Sequence, residues 1–431
     1  MELHRYPGVE YRDAEEVRRI QEGLLKEHIA YIAGNSRFYH SLLSSRDPVS
    51  VNLMNLHSLP FTDKSSFEDN ESDLLAVQMS EIVDIVLSSG TTGRPTRVMY
   101  TEHDLRRLAY NEEISFASCG ITRDDVVLLT CTIDRCFVAG LAYFLGVRSL
   151  GAAAIRNGNN SFASHMEMIE RMNPTAIVGV PSFIRKLGIF MMSKGKDPRS
   201  SGVKRIICIG EPLRSRDMRL LKMGCDIEEI WSARVFSTYA SSEIITTFCE
   251  CTAQKGGHLH PELAIVEIIG EDGDPVPAGV EGEVVVTPLM VEGMPLLRFR
   301  TGDVSFLIDE PCECGRTSTR IGPIIGRKKQ MIKFKGTTLY PQSIYTVLDE
   351  IPGVGDYFIS VGADFDLSHE LKVHVSLSDP GMTGEEIADR LQAQLRVKPE
   401  VCVSTEENIK RTIYSENSRK PKRFFEIGKE K

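Results

Sequence analysis

Apolar residues recur along this chain with two different periods. Across residues 14–31 they return at helical spacing, and the first eighty residues as a whole read as helical with no obvious site chemistry. The period then shortens. Ile82-Val83-Asp84-Ile85-Val86-Leu87 is a β-branched run bounded by turn residues and predicts a buried strand. Residues 126–130, 176–180 and 205–209 are further short apolar runs suited to a central sheet, with helical stretches around 104–109 and 164–172 between them. Thr101, three residues before Asp104, supplies a helix N-cap. Such alternation predicts an α/β sheet with helices on both faces.

After Gly256 the pattern changes. Residues 264–269 and 282–287 are strands joined by the turn-rich Glu-Asp-Gly-Asp-Pro-Val-Pro-Ala-Gly, which predicts an antiparallel, β-barrel-like segment. A composition shift at Gly326-Arg327-Lys328-Lys329-Gln330 precedes about a hundred residues of mixed strand and helix, including a helix over 384–395. The expected architecture is α/β, with a large N-terminal domain over residues 1–328 and a small α+β domain over 329–431 on a basic hinge.

Composition narrows the function. With 431 residues, 42% hydrophobic and 26% charged, the chain has the makeup of a multi-domain globular protein. A net charge of -9 argues against nucleic acid as a partner. No apolar run approaches the ~20 residues of a membrane span. The opening Met-Glu-Leu-His-Arg-Tyr-Pro lacks a basic and then apolar leader, so a cytoplasmic location is expected. In a reducing compartment the ten cysteines are not expected to form a disulfide framework. Cys208 reads as a small buried apolar residue, whereas Phe-Cys249-Glu-Cys251 and Pro-Cys312-Glu-Cys314-Gly-Arg have ligand-like spacing.

The densest candidate chemistry follows the first strand, in Ser88-Ser89-Gly90-Thr91-Thr92-Gly93-Arg94-Pro95-Thr96. Glycines permit close backbone approach to a phosphate, and the hydroxyls of Ser88, Ser89, Thr91 and Thr92 can donate to its oxygens. The spacing is not that of a Walker A loop, and a polar surface connector would share this composition. Tyr239-Ala240-Ser241-Ser242-Glu243 sets an aromatic for base stacking near a carboxylate for Mg²⁺, although an N-capped helix start looks similar. Arg298-Phe299-Arg300-Thr301-Gly302-Asp303 offers an acid for ribose hydroxyls, or else a hairpin turn. The basic run from Arg327 to Lys333 and the tail Arg419-Lys420-Pro421-Lys422-Arg423 read in isolation as solvated surface.

As an ordered set, these segments together with Gly210-Glu211-Pro212 and Leu339-Tyr340-Pro341 resemble the adenylate-forming superfamily of acyl-CoA synthetases, adenylation domains and luciferases. The whole-chain likeness is greatest to the phenylacetate–CoA ligase family. That resemblance implies an ATP-dependent aryl-acid–CoA ligase, forming an acyl-adenylate and then a thioester with coenzyme A. Ser88, Ser89, Gly90, Thr91, Thr92 and Gly93 would wrap the outer phosphates of ATP. Gly210, Glu211, Pro212 and Tyr239 would line the adenine, beside Ser241 and Ser242. Glu243 would hold Mg²⁺, Asp303 the ribose hydroxyls with Arg327 nearby, Lys329 would mark the hinge, and Lys420 would be the adenylation lysine. The relatives are frequently homodimers.

Certain positions depart from the pattern. Ala240 and Arg419 stand where the family has glycine, and the latter makes Lys422 the alternative to Lys420. Thr132-Ile133-Asp134-Arg135-Cys136-Phe137 lacks the family's aromatic, glycine-rich acyl-pocket pattern, so the acid is expected to differ from phenylacetate. Arg135 would pair with a polar ring substituent or else face outward. Cys251, His258, Cys312 and Cys314 suit a tetrahedral Zn²⁺, with Cys249 and His260 as competing ligands and free thiols as the plain alternative. Related ligases often hold a zinc with such a set, which would be structural because four protein ligands leave no open position. Two alternative functions share the fold: transfer of the acyl group to a carrier protein or of AMP to a cofactor hydroxyl, and nucleotide binding without catalysis.

Overall fold

The computed structural model describes residues 3–88, 96–334, 337–362, 370–379, 381–414 and 421–427. Ser89, Gly90, Thr91, Thr92, Gly93 and Lys420 lie outside the described residues. The chain forms two compact units, Met1–Thr301 with Ser305–Ile324, and Gly302–Val304 with Ile325–Lys431.

In the first unit, one sheet runs in the order Ala153–Arg156, Val126–Leu129, Ala176–Gly179, Arg205–Cys208, Arg234–Ser241, Thr246–Cys249. All neighbours are parallel except the last pair. Adjacent residues on a strand face opposite ways, and here both faces are apolar. Val127, Leu129, Val178 and Phe236 pack with Phe116, Tyr143 and Val147 on one side. Leu128, Ile177, Ile206 and Val235 pack with Ile184, Leu187, Ile227 and Trp231 on the other. A sheet covered on both faces explains why its strands read as continuous apolar runs rather than as alternation. A second sheet element of this unit is the antiparallel pair Ala264–Ile269 and Gly282–Pro288.

The run Ile82–Leu87 differs from expectation. It forms a two-stranded antiparallel ribbon with Arg97–Thr101 and does not enter the central sheet. Only one face of such a ribbon meets the core, so Val86 is buried while Val83, Ile85 and Leu87 are exposed. The helix expected near 104–109 extends over Glu102–Ser118 and begins with a reciprocal capping box between Thr101 and Asp104. Among the described residues no helix is long and apolar enough to cross a membrane.

The second unit carries a sheet ordered Glu400–Ser404, Leu371–Leu377, Val354–Gly362, Phe424–Ile427. Ile344, Val347 and Leu348 of the helix Pro341–Glu350, with Ile387 and Leu391 of Gly384–Leu395, pack on Tyr357, Ile359, Val373 and Val375. This is an α+β arrangement with its own core.

Candidate functional site

The strand Arg234–Ser241 ends in a turn that presents Glu243, a carboxylate only 9% exposed. The Ser241 hydroxyl donates to its Oε2 at 2.5 Å, and Lys64 Nζ lies 3.4 Å from its Oε1. Burial pushes this carboxyl up, but the Ser241 hydrogen bond and the Lys64 charge outweigh it and hold the group below the usual carboxylate range. Among the described residues, the cation paired with this carboxylate is the half-buried Lys64. The Ser88 hydroxyl also favours that anion, yet it completes no hydrogen bond among the described residues, and neither does the buried hydroxyl of Thr96. Those two hydroxyls bound residues 89–95. The buried Ser88 hydroxyl, beside an ionised acid, is a donor that a magnesium–phosphate group would satisfy.

The turn is built by the helix Glu102–Ser118 and the strand before it. Tyr100 Oη donates to the carbonyl of Ser242 at 2.8 Å. The buried guanidinium of Arg107 donates to the carbonyls of Ile245 (2.5 Å), Leu263 (2.5 Å) and Leu289 (2.6 Å), and to Thr246 Oγ1 (3.1 Å). One turn along, Asn111 exchanges hydrogen bonds with the backbone of Thr247 at 3.1 and 2.6 Å. Ile245 sits at φ 44°, where β-branched residues are strained, and Arg107 grips its carbonyl. A rigid lattice of charge-assisted hydrogen bonds thus fixes the peptide that carries Glu243.

Tyr239 is half-buried and lies nearly parallel to Phe248, with ring centroids 6.4 Å apart. Glu211 follows Gly210 (φ 70°) and accepts from the amide and hydroxyl of Ser182, at 3.0 and 2.8 Å, at the start of the helix Pro181–Ser193. That contact ties the Gly210-Glu211-Pro212 segment to the neighbouring strand–helix turn. Arg135 is exposed.

In the second unit, Asp303 and Arg327 are cross-strand partners, with Arg327 Nε donating to Asp303 Oδ1 at 3.2 Å. The segment for which a hairpin turn is the alternative to a ribose-binding acid forms the strand Phe299–Ser305, with Gly302 at φ 76° supplying the local bend. Lys329 is exposed.

Elsewhere in the first unit, Cys251, His258, Cys312 and Cys314 bring one ligand atom each to within 4.8 Å of one another. Cys251 Sγ lies 3.6 Å from Cys312 Sγ, and Cys314 Sγ lies 3.4 Å from His258 Nε2. His258 Nδ1 contacts Ser318 Oγ at 3.0 Å, a partner that orients the ring with Nε2 toward the thiols. The competing residues turn away: Cys249 faces Cys119 at 3.2 Å, and His260 Nδ1 faces Glu10 at 2.7 Å.

Sequence reasoning missed Lys64, Tyr100 and Arg107. For Lys64 a local signal existed, since Asp63 followed by Ser66 forms the capping box that starts the helix Lys64–Leu74.

A family model described as AMP-binding enzyme matches residues 27–292. A phenylacetate-coenzyme A ligase of Thermus thermophilus is 31% identical over 382 residues, spanning 87% of this chain and 84% of the relative. The corresponding ligase of Escherichia coli is 27% identical over 367 residues, with 82% and 81% covered. Among solved structures, a 2-hydroxyisobutyryl-CoA ligase in the postadenylation state superposes with a TM-score of 0.85 at 22% identity, over 98% of this chain and 94% of that one. At that identity the likeness is one of fold.

Proposed function

This chain belongs to the AMP-binding enzyme family, and we propose that it is an ATP-dependent, AMP-forming acid–CoA ligase acting on an aromatic carboxylic acid. The observation that carries this reading is the likeness to a phenylacetate-coenzyme A ligase across 87% of the chain. In the first half-reaction an oxygen of the acid attacks the α-phosphorus of ATP and pyrophosphate leaves. In the second, the coenzyme A sulfur attacks the acyl carbon and AMP leaves. Positioning and electrostatics suffice for both, because the phosphoryl centre needs no covalent help from the protein.

In this reading Ser88, Ser89, Gly90, Thr91, Thr92 and Gly93 hold the phosphates that depart. Glu243, pre-ionised and fixed by Ser241, holds Mg²⁺, which supplies charge neutralisation on the phosphate oxygens. Tyr239 offers a face to the adenine and Asp303 a carboxylate to the ribose. Lys420 stabilises the charge that develops as the acid attacks, and Lys329 marks the hinge between residues 1–328 and 329–431. The Cys251, His258, Cys312 and Cys314 set holds a structural Zn²⁺ with no open coordination position. Assembly as a homodimer completes the reading.

Pyrophosphate exchange into ATP, measured with a panel of benzoates, phenylacetates and aminobenzoates, tests it. Exchange with at least one acid, followed by AMP release that requires coenzyme A, is expected. No exchange with any acid overturns the proposal, and exchange without coenzyme A–dependent release points instead to a carrier-protein acceptor.

A further inference from the structure

We propose that Arg214 and Glu250 are positioning residues for the nucleotide: the Glu250 carboxylate ties the segment Gly210-Glu211-Pro212 to the strand that carries Tyr239, and so sets the gap in which the adenine is held. The inference rests on the function proposed above, which gives these two stretches to the adenine. It adds a buried ion pair that acts through the residues around it.

The carboxylate reaches both stretches at once. Arg214 lies two residues after Pro212, and its guanidinium donates to Glu250 through Nε to Oε1 at 2.5 Å and through Nη2 to Oε2 at 3.1 Å. Ser237 lies two residues before Tyr239, and its amide donates to Glu250 Oε2 at 2.9 Å. A two-pronged planar contact fixes orientation as well as distance. The two side chains are only 7% and 2% exposed, so solvent screens the pair little.

Each end of the arrangement is itself held. Glu250 donates its amide to the carbonyl of Ser237 at 3.0 Å and forms an antiparallel bridge with Gly257. It stands between Cys249, whose sulfur meets Cys119, and Cys251 of the thiol–imidazole cluster. Arg214 is bridged to Leu220, and Leu221 N donates to Leu213 O at 2.8 Å. On the near side of the segment, Thr238 Oγ1 donates to the carbonyl of Cys208 at 3.0 Å, and Glu211 is held by Ser182. The glycine–glutamate–proline turn is therefore anchored before and after, and the second anchor is the ion pair. Stability alone does not call for charges here, because uncharged residues of similar size commonly serve a core as well as a buried ion pair does.

The test is equilibrium binding of AMP by calorimetry, with melting temperatures measured in parallel, on the full chain and its variants. Arg214→Met leaves the Glu250 carboxylate buried without its cation and is expected to melt well below wild type. Combining it with Glu250→Gln removes the orphaned charge, while the amide oxygen can still accept from Ser237. The double variant is therefore expected to regain most of the melting temperature. Its AMP affinity is expected to stay about tenfold below wild type, because the clamp is absent. In pyrophosphate exchange that loss is expected as a raised KM for ATP with little change in kcat, the mark of lost ground-state binding. Arg214→Lys, which keeps the charge without the planar fork, is expected to fold and to bind AMP several-fold more weakly. Wild-type AMP affinity in the double variant or in Arg214→Lys would overturn the inference, as would an affinity that simply follows the melting temperature across the variants. A wild-type protein that binds no adenine nucleotide overturns the function reading itself, and this inference with it.

Discussion

The phenol of Tyr100 donates a 2.8 Å hydrogen bond to the carbonyl of Ser242, the residue directly before Glu243. That contact links the ribbon strand Arg97–Thr101 to the turn that presents the acid. Tyr100→Phe keeps the ring in its buried place and removes only the donor. It is expected to lower stability by about 1 kcal/mol and to slow acid-dependent pyrophosphate exchange several-fold through a looser Glu243. Denaturant melts and exchange assays on the purified variant check both. An unchanged exchange rate would show that the turn does not depend on this bond.

Arg107 has a larger task. Its guanidinium is fully buried and serves three backbone carbonyls and one hydroxyl from three separate segments. Arg107→Leu leaves those acceptors without donors in the core, and Arg107→Lys cannot reproduce the planar fork. Either variant is expected to lose about 3 kcal/mol or more of stability, with the lysine variant less affected. Thermal unfolding measures this, and a loss below about 1 kcal/mol for Arg107→Leu would contradict the bracing role.

Why Arg107 was invisible in the sequence is instructive. Asp104, Arg107, Asn111 and Ser115 form a polar stripe at helical spacing, which ordinarily marks a solvated face. Here all four are buried, because the stripe meets backbone groups of residues 245–247 and 289–293 rather than apolar side chains. The central strands were legible because both of their faces are apolar, and 126–130 falls within one residue of Val126–Leu129. Ile82–Leu87 has the same texture but lies in a ribbon, and apolar content does not say how many neighbours a strand has. The order of the phosphate, tyrosine–glutamate and basic segments gave the family, which the AMP-binding match and the 31% relative bear out. Spacing left Cys249 and His260 in contention with Cys251 and His258. Tertiary partners divide them, Cys119 and Glu10 engaging the first two.

The thiol–imidazole cluster predicts a metal content. Purified protein is expected to carry about one equivalent of zinc by elemental analysis, and Cys312→Ser to reduce it sharply. Cys249→Ser is expected to leave the zinc in place, since that sulfur contacts Cys119. Chelation is expected to lower the melting temperature without abolishing pyrophosphate exchange, in keeping with a structural ion. Stable, metal-free protein would refute the assignment.

Glu112 offers a pH signature. Its carboxyl is fully buried; desolvation pushes it up to about 7, against the Thr247 hydroxyl that donates to Oε1 at 2.5 Å and the nearby His260. Its Oε2 has no partner among the described residues. In the unfolded chain the same group ionises near the ordinary value of about 4.3. Between those values the folded protein keeps a proton that the unfolded chain has released, so this group's contribution to stability is complete below the unfolded value. It is lost progressively as pH rises toward about 7 and is constant above that. Glu112→Gln, which keeps the shape without the proton to lose, is expected to raise the melting temperature at pH 8 relative to wild type. It should also flatten the decline in stability between about pH 4.5 and 7. Parallel melts of the two proteins across that range decide the matter: superimposable pH profiles would mean that Glu112 is ionised in the fold at neutral pH.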